Sequence, residues 1–143
     1  MKFKKSIFSA LATLFLVSPV FAELVFPSLS YRTGAYGPNG IPFADGYEDY
    51  FTLMNERDGG IGGEPVRVVK CETAYNTEKG VECYESTKGE GSLAYQPLST
   101  GITYQLIPKA SADNIPILSS GYGRTSAKNG KIFKWVFNFP GTY

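Results

Sequence analysis

Three short runs of hydroxyl-bearing, glycine and aromatic residues are the places where this sequence could do chemistry. The first is Gln96-Pro97-Leu98-Ser99-Thr100-Gly101. Ser99 and Thr100 are residue types that open helices, and a helix start offers free backbone N–H groups and a positive dipole end, which suit an anion such as a carboxylate. Their hydroxyls add donors at the same point. The same pair is also what a plain N-cap needs, and the residues alone favour that simpler role. The second run is Ser119-Ser120-Gly121-Tyr122-Gly123-Arg124. Its Gly-Tyr-Gly lacks the third glycine of a dinucleotide loop. Arg124 is either a fork for a ligand carboxylate or, the favoured reading, a surface charge paired with an acid. The third run is Tyr31-Arg32-Thr33-Gly34-Ala35-Tyr36-Gly37, whose Tyr31 and Tyr36 form either an apolar wall for a ligand or partly buried packing.

Catalysis fits these residues poorly. The chain has no histidine, which removes histidine-based acid–base and triad chemistry and leaves zinc to carboxylates and two cysteines. It has no glycine-rich phosphate loop with a lysine. Adjacent Glu48 and Asp49 read as the solvated face of a helix. The expectation is a protein without catalytic residues and without a cofactor.

Strand and helix patterns alternate around these runs. Residues 24–30 read as a buried first strand, followed by a turn-rich loop at 31–40. A helix is predicted over about 41–57, with Phe43, Tyr47, Tyr50, Phe51 and Met54 three and four apart on one face. Pro42 is placed in its first turn, and Asp58-Gly59-Gly60 stops it. Residues 65–71 read as a second strand, with Val66 and Val68 alternating. A second helix starts near Asn76 or Thr77, either a good cap, and ends by Gly89. A third strand is placed at 92–95 and a short helix from Gly101, disturbed by Pro108. Further strands are placed at 115–119 and 133–139. Crossovers that contain helices require parallel strands, so the fold class is α/β, a parallel sheet with helices on both faces.

The two cysteines, Cys71 and Cys83, read as one structural disulfide, on the ground that the chain is exported. Export is read from the first residues. Lys2, Lys4 and Lys5 precede an apolar run from Ile7 to Val17, and Val20 and Ala22 suit signal peptidase. Residues 1–22 are therefore expected to be a signal peptide cut before Glu23, the apolar run being shorter than the roughly 20 residues of a bilayer span. Cleavage takes three of the 14 basic residues and none of the 13 acidic ones, leaving a net charge of −2. That balance argues against a nucleic-acid partner.

With these elements in place, the sequence resembles the substrate-binding proteins of ABC transporters in the branched-chain amino acid (leucine/isoleucine/valine-binding) family. The likeness is carried by residues 29–40, by Met54-Asn55-Glu56-Arg57-Asp58-Gly59-Gly60-Ile61-Gly62-Gly63, by Pro97-Leu98-Ser99-Thr100-Gly101-Ile102-Thr103, and by Ile115-Pro116-Ile117-Leu118. The resemblance implies a Rossmann-like lobe of a type I periplasmic binding protein, here incomplete, with residues 23–143 forming the first part of the N-terminal lobe. It implies capture of a small solute in the periplasm and delivery to an ABC permease in the inner membrane. Carried over by position, its solute contacts fall at Ser99 or Thr100 and at Gly121, Tyr122 and Gly123; Tyr36 is a candidate contact from the reading of its own loop. Ser-Ser-Gly-Tyr-Gly-Arg-Thr departs from the pattern of amino-acid binders, which widens the expected solute to an amino acid, an amide or an aromatic acid. A sensory receptor domain of the same architecture and a Rossmann-type enzyme are the rival readings.

Overall fold

The computed structural model describes residues 23–120, 123–139 and 141–143; the expected signal peptide lies outside them. Strand β1 is Leu24–Ser30, helix α1 Gly37–Asp58, β2 Val66–Glu72, α2 Thr77–Thr87, α3 Thr100–Asp113, β3 Ile117–Ser120 and β4 Val136–Phe139. The first pair is parallel, with Leu24 opposite Val66 and Ser30 opposite Glu72. The second is also parallel, with Ile117 opposite Val136 and Ser120 opposite Phe139. The sequence therefore indicates the fold class correctly.

The third expected strand, 92–95, does not form a ladder. It makes one parallel bridge on each side, Ser92 to Val25 and Tyr95 to Ile117. It still joins the two pairs, through Leu93 N–H to Val25 O at 3.0 Å, Tyr95 N–H to Pro116 O at 2.9 Å and Leu118 N–H to Tyr95 O at 2.7 Å. The five residues between the left-handed Gly91 (φ 84°) and Pro97 are too few to pair fully on both flanks. The order across the sheet is β2, β1, residues 92–95, β3, β4, so every strand end carrying a candidate run points to one edge.

Helix α1 begins four residues before its predicted start. Gly37, Pro38, Asn39 and Gly40, which read as loop from their composition, form its first turn with Pro38 where a missing N–H is free of cost. Pro42 therefore lies in the second turn rather than the first. The close approach behind this is at Gly40, where a Cβ would stand 1.8 Å from the Tyr31 carbonyl oxygen. At the other end Gly59 (φ 70°) and Gly60 send their N–H groups back to Asn55 and Met54, a left-handed helix stop. The Asn55 amide then grips β2, donating to Val66 O at 2.7 Å and accepting from Val66 N–H at 2.8 Å.

Alternation along β1 covers the sheet on both faces. Phe26 stacks on Phe51 of α1, ring centroids 5.0 Å apart. Leu29 enters the core with Cys83 and Tyr84 of α2, Ile102, Leu106 and Ala110 of α3, Tyr95 and Ile117. Helices α2 and α3 touch closely, since a Cβ at Gly80 would meet the Ile102 side chain at 2.5 Å. Helix α3 runs 14 residues through Pro108, longer than the sequence suggests. Its length follows from the buried Ile102, Thr103, Leu106, Ile107 and Ala110, whose packing outweighs the bond that Pro108 forfeits.

Cys71 and Cys83 are bonded, with Cα atoms 5.7 Å apart across 12 residues. Closing a loop of that size restricts the unfolded chain and is expected to stabilise by about 3 kcal/mol. Urea unfolding with and without reductant should show this difference; coincident curves would contradict it.

Candidate functional site

The residues at the carboxyl edge are positioned by the ends of β1, β2, the 92–95 segment and β3. Ser99 is buried and extended, and its hydroxyl accepts from Ile102 N–H at 3.4 Å. Its carbonyl takes the Thr103 N–H at 2.9 Å and the Thr103 hydroxyl at 2.7 Å. Ser99 is thus the N-cap of α3, and the capping role read from the sequence is real. Capping leaves the dipole end of a 14-residue helix facing the carboxyl edge. Thr100, half-buried at the first helical position, places its hydroxyl 3.2 Å from the Tyr143 hydroxyl.

The loop after β3 is tied to the same place. Gly121 and Tyr122 lie outside the described residues, but their neighbours are fixed. The Gln96 amide donates to the Ser120 hydroxyl, linking the loop before α3 to the end of β3. Gly123 accepts from Tyr143 N–H at 3.1 Å. Beneath Gly123, the hydroxyl of the fully buried Ser119 and the amide oxygen of Asn138 find no hydrogen-bond partner among the described residues. A Cβ at Gly123 would lie 2.1 Å from that amide oxygen, so the second glycine of Gly-Tyr-Gly is needed for close packing. Arg124 lies 5.6 Å over the Tyr104 ring of α3. It partners an aromatic face there rather than the surface acid expected from sequence.

Tyr36 belongs to an aromatic cluster over the ends of β1 and β2. Its ring is 4.3 Å from Tyr75 and 6.3 Å from Tyr31, and Tyr31 is 4.9 Å from Tyr75. Tyr31 is buried, whereas Tyr36 is half exposed. Burial, with Tyr75 and Tyr36 adding to it, pushes the Tyr31 phenol above its ordinary value, so the ring is neutral. Arg32 provides no free charge to this patch. Its guanidinium nitrogens bind Asp45 at 2.6 Å and Glu48 at 2.8 Å. Tyr75 escaped the sequence reading because nothing in Thr73-Ala74-Tyr75-Asn76 signals the turn it occupies. A cavity of about 560 Å³ lies between α2 and α3, lined by Thr77, Glu78, Val81, Glu82 and Gln105. It opens on the helix flank rather than at the strand ends.

The carboxyl edge thus gathers a helix start, hydroxyls, an amide and tyrosines at the end of a parallel sheet, the edge at which open α/β folds generally bind ligands. Residues 24–143 match the family model for the periplasmic binding protein. Among solved structures, the crystal structure of an ABC transporter permease from the Pseudomonas fluorescens group is 38% identical, with a TM-score of 0.77 over 82% of this chain and 30% of that one. A branched-chain amino acid ABC transporter from Thermus thermophilus with bound valine is 19% identical, with a TM-score of 0.73 over 86% of this chain and 32% of that one. The branched-chain amino acid transporter substrate binding protein of Streptococcus pneumoniae, in complex with isoleucine, is 18% identical, with a TM-score of 0.68 over 85% of this chain and 34% of that one. The latter two share the fold. The chain spans about a third of the length of each of these structures. Comparison with curated proteins finds no match. The chain belongs to the periplasmic binding protein family.

Proposed function

We propose that this chain contributes the first part of the N-terminal lobe of the solute-binding component of an ABC importer, capturing an amino acid or related small organic solute in the periplasm. Residues 1–22 are its cleaved signal peptide, and 23–143 the lobe segment. The partner is the inner-membrane permease. The observation that carries the reading is the meeting of two loops at one edge: the Ser99-Thr100 start of α3 and the loop after β3, linked through Gln96 to Ser120 and through Thr100 to Tyr143. A solute carboxylate fits the first and a solute amino or amide group the second, at Ser119–Gly123, with Gly121 and Tyr122 between. Closure of a second lobe over the solute follows from tighter binding in the closed state.

The test is calorimetry of the full-length protein against carboxylate solutes. Thr100→Val is expected to weaken binding by roughly tenfold, the worth of one hydrogen bond to a charged group. Ser99→Ala should lose the cap as well, about 1 kcal/mol of stability. Unchanged affinity in a folded Thr100→Val protein would remove Thr100 from the site.

A further inference from the structure

The turn after β2 is held in an unusual conformation. Ala74 and Tyr75 both have left-handed backbones, φ 49° and 57°. Residues with a Cβ adopt this at a cost, and it persists only where the surroundings over-determine it. They do so here. Ala74 N–H donates to the Glu72 carboxylate at 2.7 Å and Tyr75 N–H to the Thr73 hydroxyl at 3.3 Å. Thr73 is fully buried, its N–H and hydroxyl both on Ser30 O at 2.8 and 3.1 Å. The Cys71–Cys83 bond closes the segment that contains the turn. The result is that Tyr75 is 39% exposed, its ring edge-on to Tyr31 and leaning on Tyr36. Glycine or asparagine would make this turn more easily, and the exposed ring adds little to the core.

We propose that Tyr75, together with Tyr36, is the side-chain subsite of the solute site and that the solute carries a flat aromatic ring; this rests on the solute-binding reading above. The rings decide the class. A box for a cation holds its aromatic faces apart around a gap, whereas Tyr36 and Tyr75 are in contact, centroids 4.3 Å apart and tilted by 36°. They form a shelf on which a third ring stacks. The shelf is neutral: Arg32 is bound to Asp45 and Glu48, and the Glu72 carboxylate accepts from Arg32 N–H, Thr33 and Ala74 N–H. Tyr75 also stands near the anion-favouring turn. Thr77, two residues on, abuts Gly101, where a Cβ would lie 2.6 Å from the Thr77 hydroxyl. The starts of α2 and α3 are therefore adjacent, and one solute can place its carboxylate at α3 and its ring on the shelf.

The test titrates the full-length protein, wild type and variants, with phenylalanine, benzoate, leucine and choline. An aromatic acid is expected to bind roughly tenfold tighter than leucine or choline, and Tyr75→Ala to lose about tenfold for that acid. Tyr75→Phe, which keeps the ring, should retain the aromatic affinity. Thermal melts confirm that each variant is folded. Preference for leucine or choline, or a folded Tyr75→Ala protein with full aromatic affinity, overturns the aromatic subsite alone. A folded protein that binds none of the four overturns the solute-binding reading and the subsite with it.

Discussion

Replacing Tyr84 by alanine is expected to destabilise the protein by about 3–5 kcal/mol, the usual range for deleting a fully buried aromatic ring. Tyr84 is wholly buried, its ring 4.7 Å from that of Tyr95. It joins the core to a polar network at the edge opposite the site. Its hydroxyl donates to Asp113 at 2.8 Å, and Asp113 also pairs with Lys88 at 3.0 Å. Burial, followed by the bond to Asp113, holds the phenol protonated well above its ordinary value, while the bonds from Tyr84 and Lys88 keep the Asp113 carboxylate ionised. Tyr84→Phe keeps the ring and leaves Asp113 to Lys88, so its cost should be near 1 kcal/mol. Urea unfolding of both variants separates packing from hydrogen bonding. Equal losses for the two would mean that the hydroxyl, not the ring, dominates.

The second large effect is expected at Gly40. A methyl group there would stand 1.8 Å from the Tyr31 carbonyl oxygen and 2.4 and 2.7 Å from two carbons of its ring. The carbonyl is backbone and cannot swing aside, so either the first turn of α1 or the end of β1 must move. Gly40→Ala should therefore cost at least about 3 kcal/mol, at the upper end for overpacking. It should also disturb the Tyr31–Tyr36–Tyr75 cluster, because Tyr31 is the residue displaced. Gly46, in the same helix, is the control. Nothing lies within 4 Å of a Cβ there, and Gly46→Ala should stabilise by about 0.5–1 kcal/mol. Opposite signs at two glycines of one helix would tie the effect to contact rather than to helix propensity. A neutral Gly40→Ala would show that the approach of α1 to β1 is looser than described.

These two sites also show what the sequence makes legible. Patterning reports local periodicity, so β1 has its predicted limits, β2 is displaced by one residue, and of the two expected caps of α2 it is Asn76 that serves, accepting Lys79 N–H at 2.9 Å. It reports poorly on close approach. Gly37 and Gly40 look like loop residues because glycine is common in loops, yet they are helical where α1 meets Tyr31. The 92–95 run was legible as strand by residue type, but its neighbours decide that it makes only single bridges. The disulfide followed from compartment and cysteine number, and the fold then brings Cys83 of α2 over the end of β2.

Much of the candidate site was legible for the same reason. Ser99 and Thr100 announce a helix start through their side chains, and Tyr36 through its place beside glycines. Tyr75 was hidden. Its contribution depends on a left-handed backbone that neither alanine nor tyrosine favours, and on long-range bonds from Glu72 and Thr73. Asn138 was hidden as well, because it becomes a neighbour of Ser119 only when the two fall opposite each other in the β3–β4 register.

The central claim is that the carboxyl edge between the start of α3 and the end of β3 receives a solute. The most direct measurement is a crystal structure of the full-length protein with a bound solute. The account predicts the solute carboxylate within hydrogen-bonding distance of Ser99, Thr100 or Gly101, with its other polar group near Ser120 and Gly123. A solute held at the opposite edge beside Tyr84 and Asp113, or on the flank between α2 and α3, would contradict it.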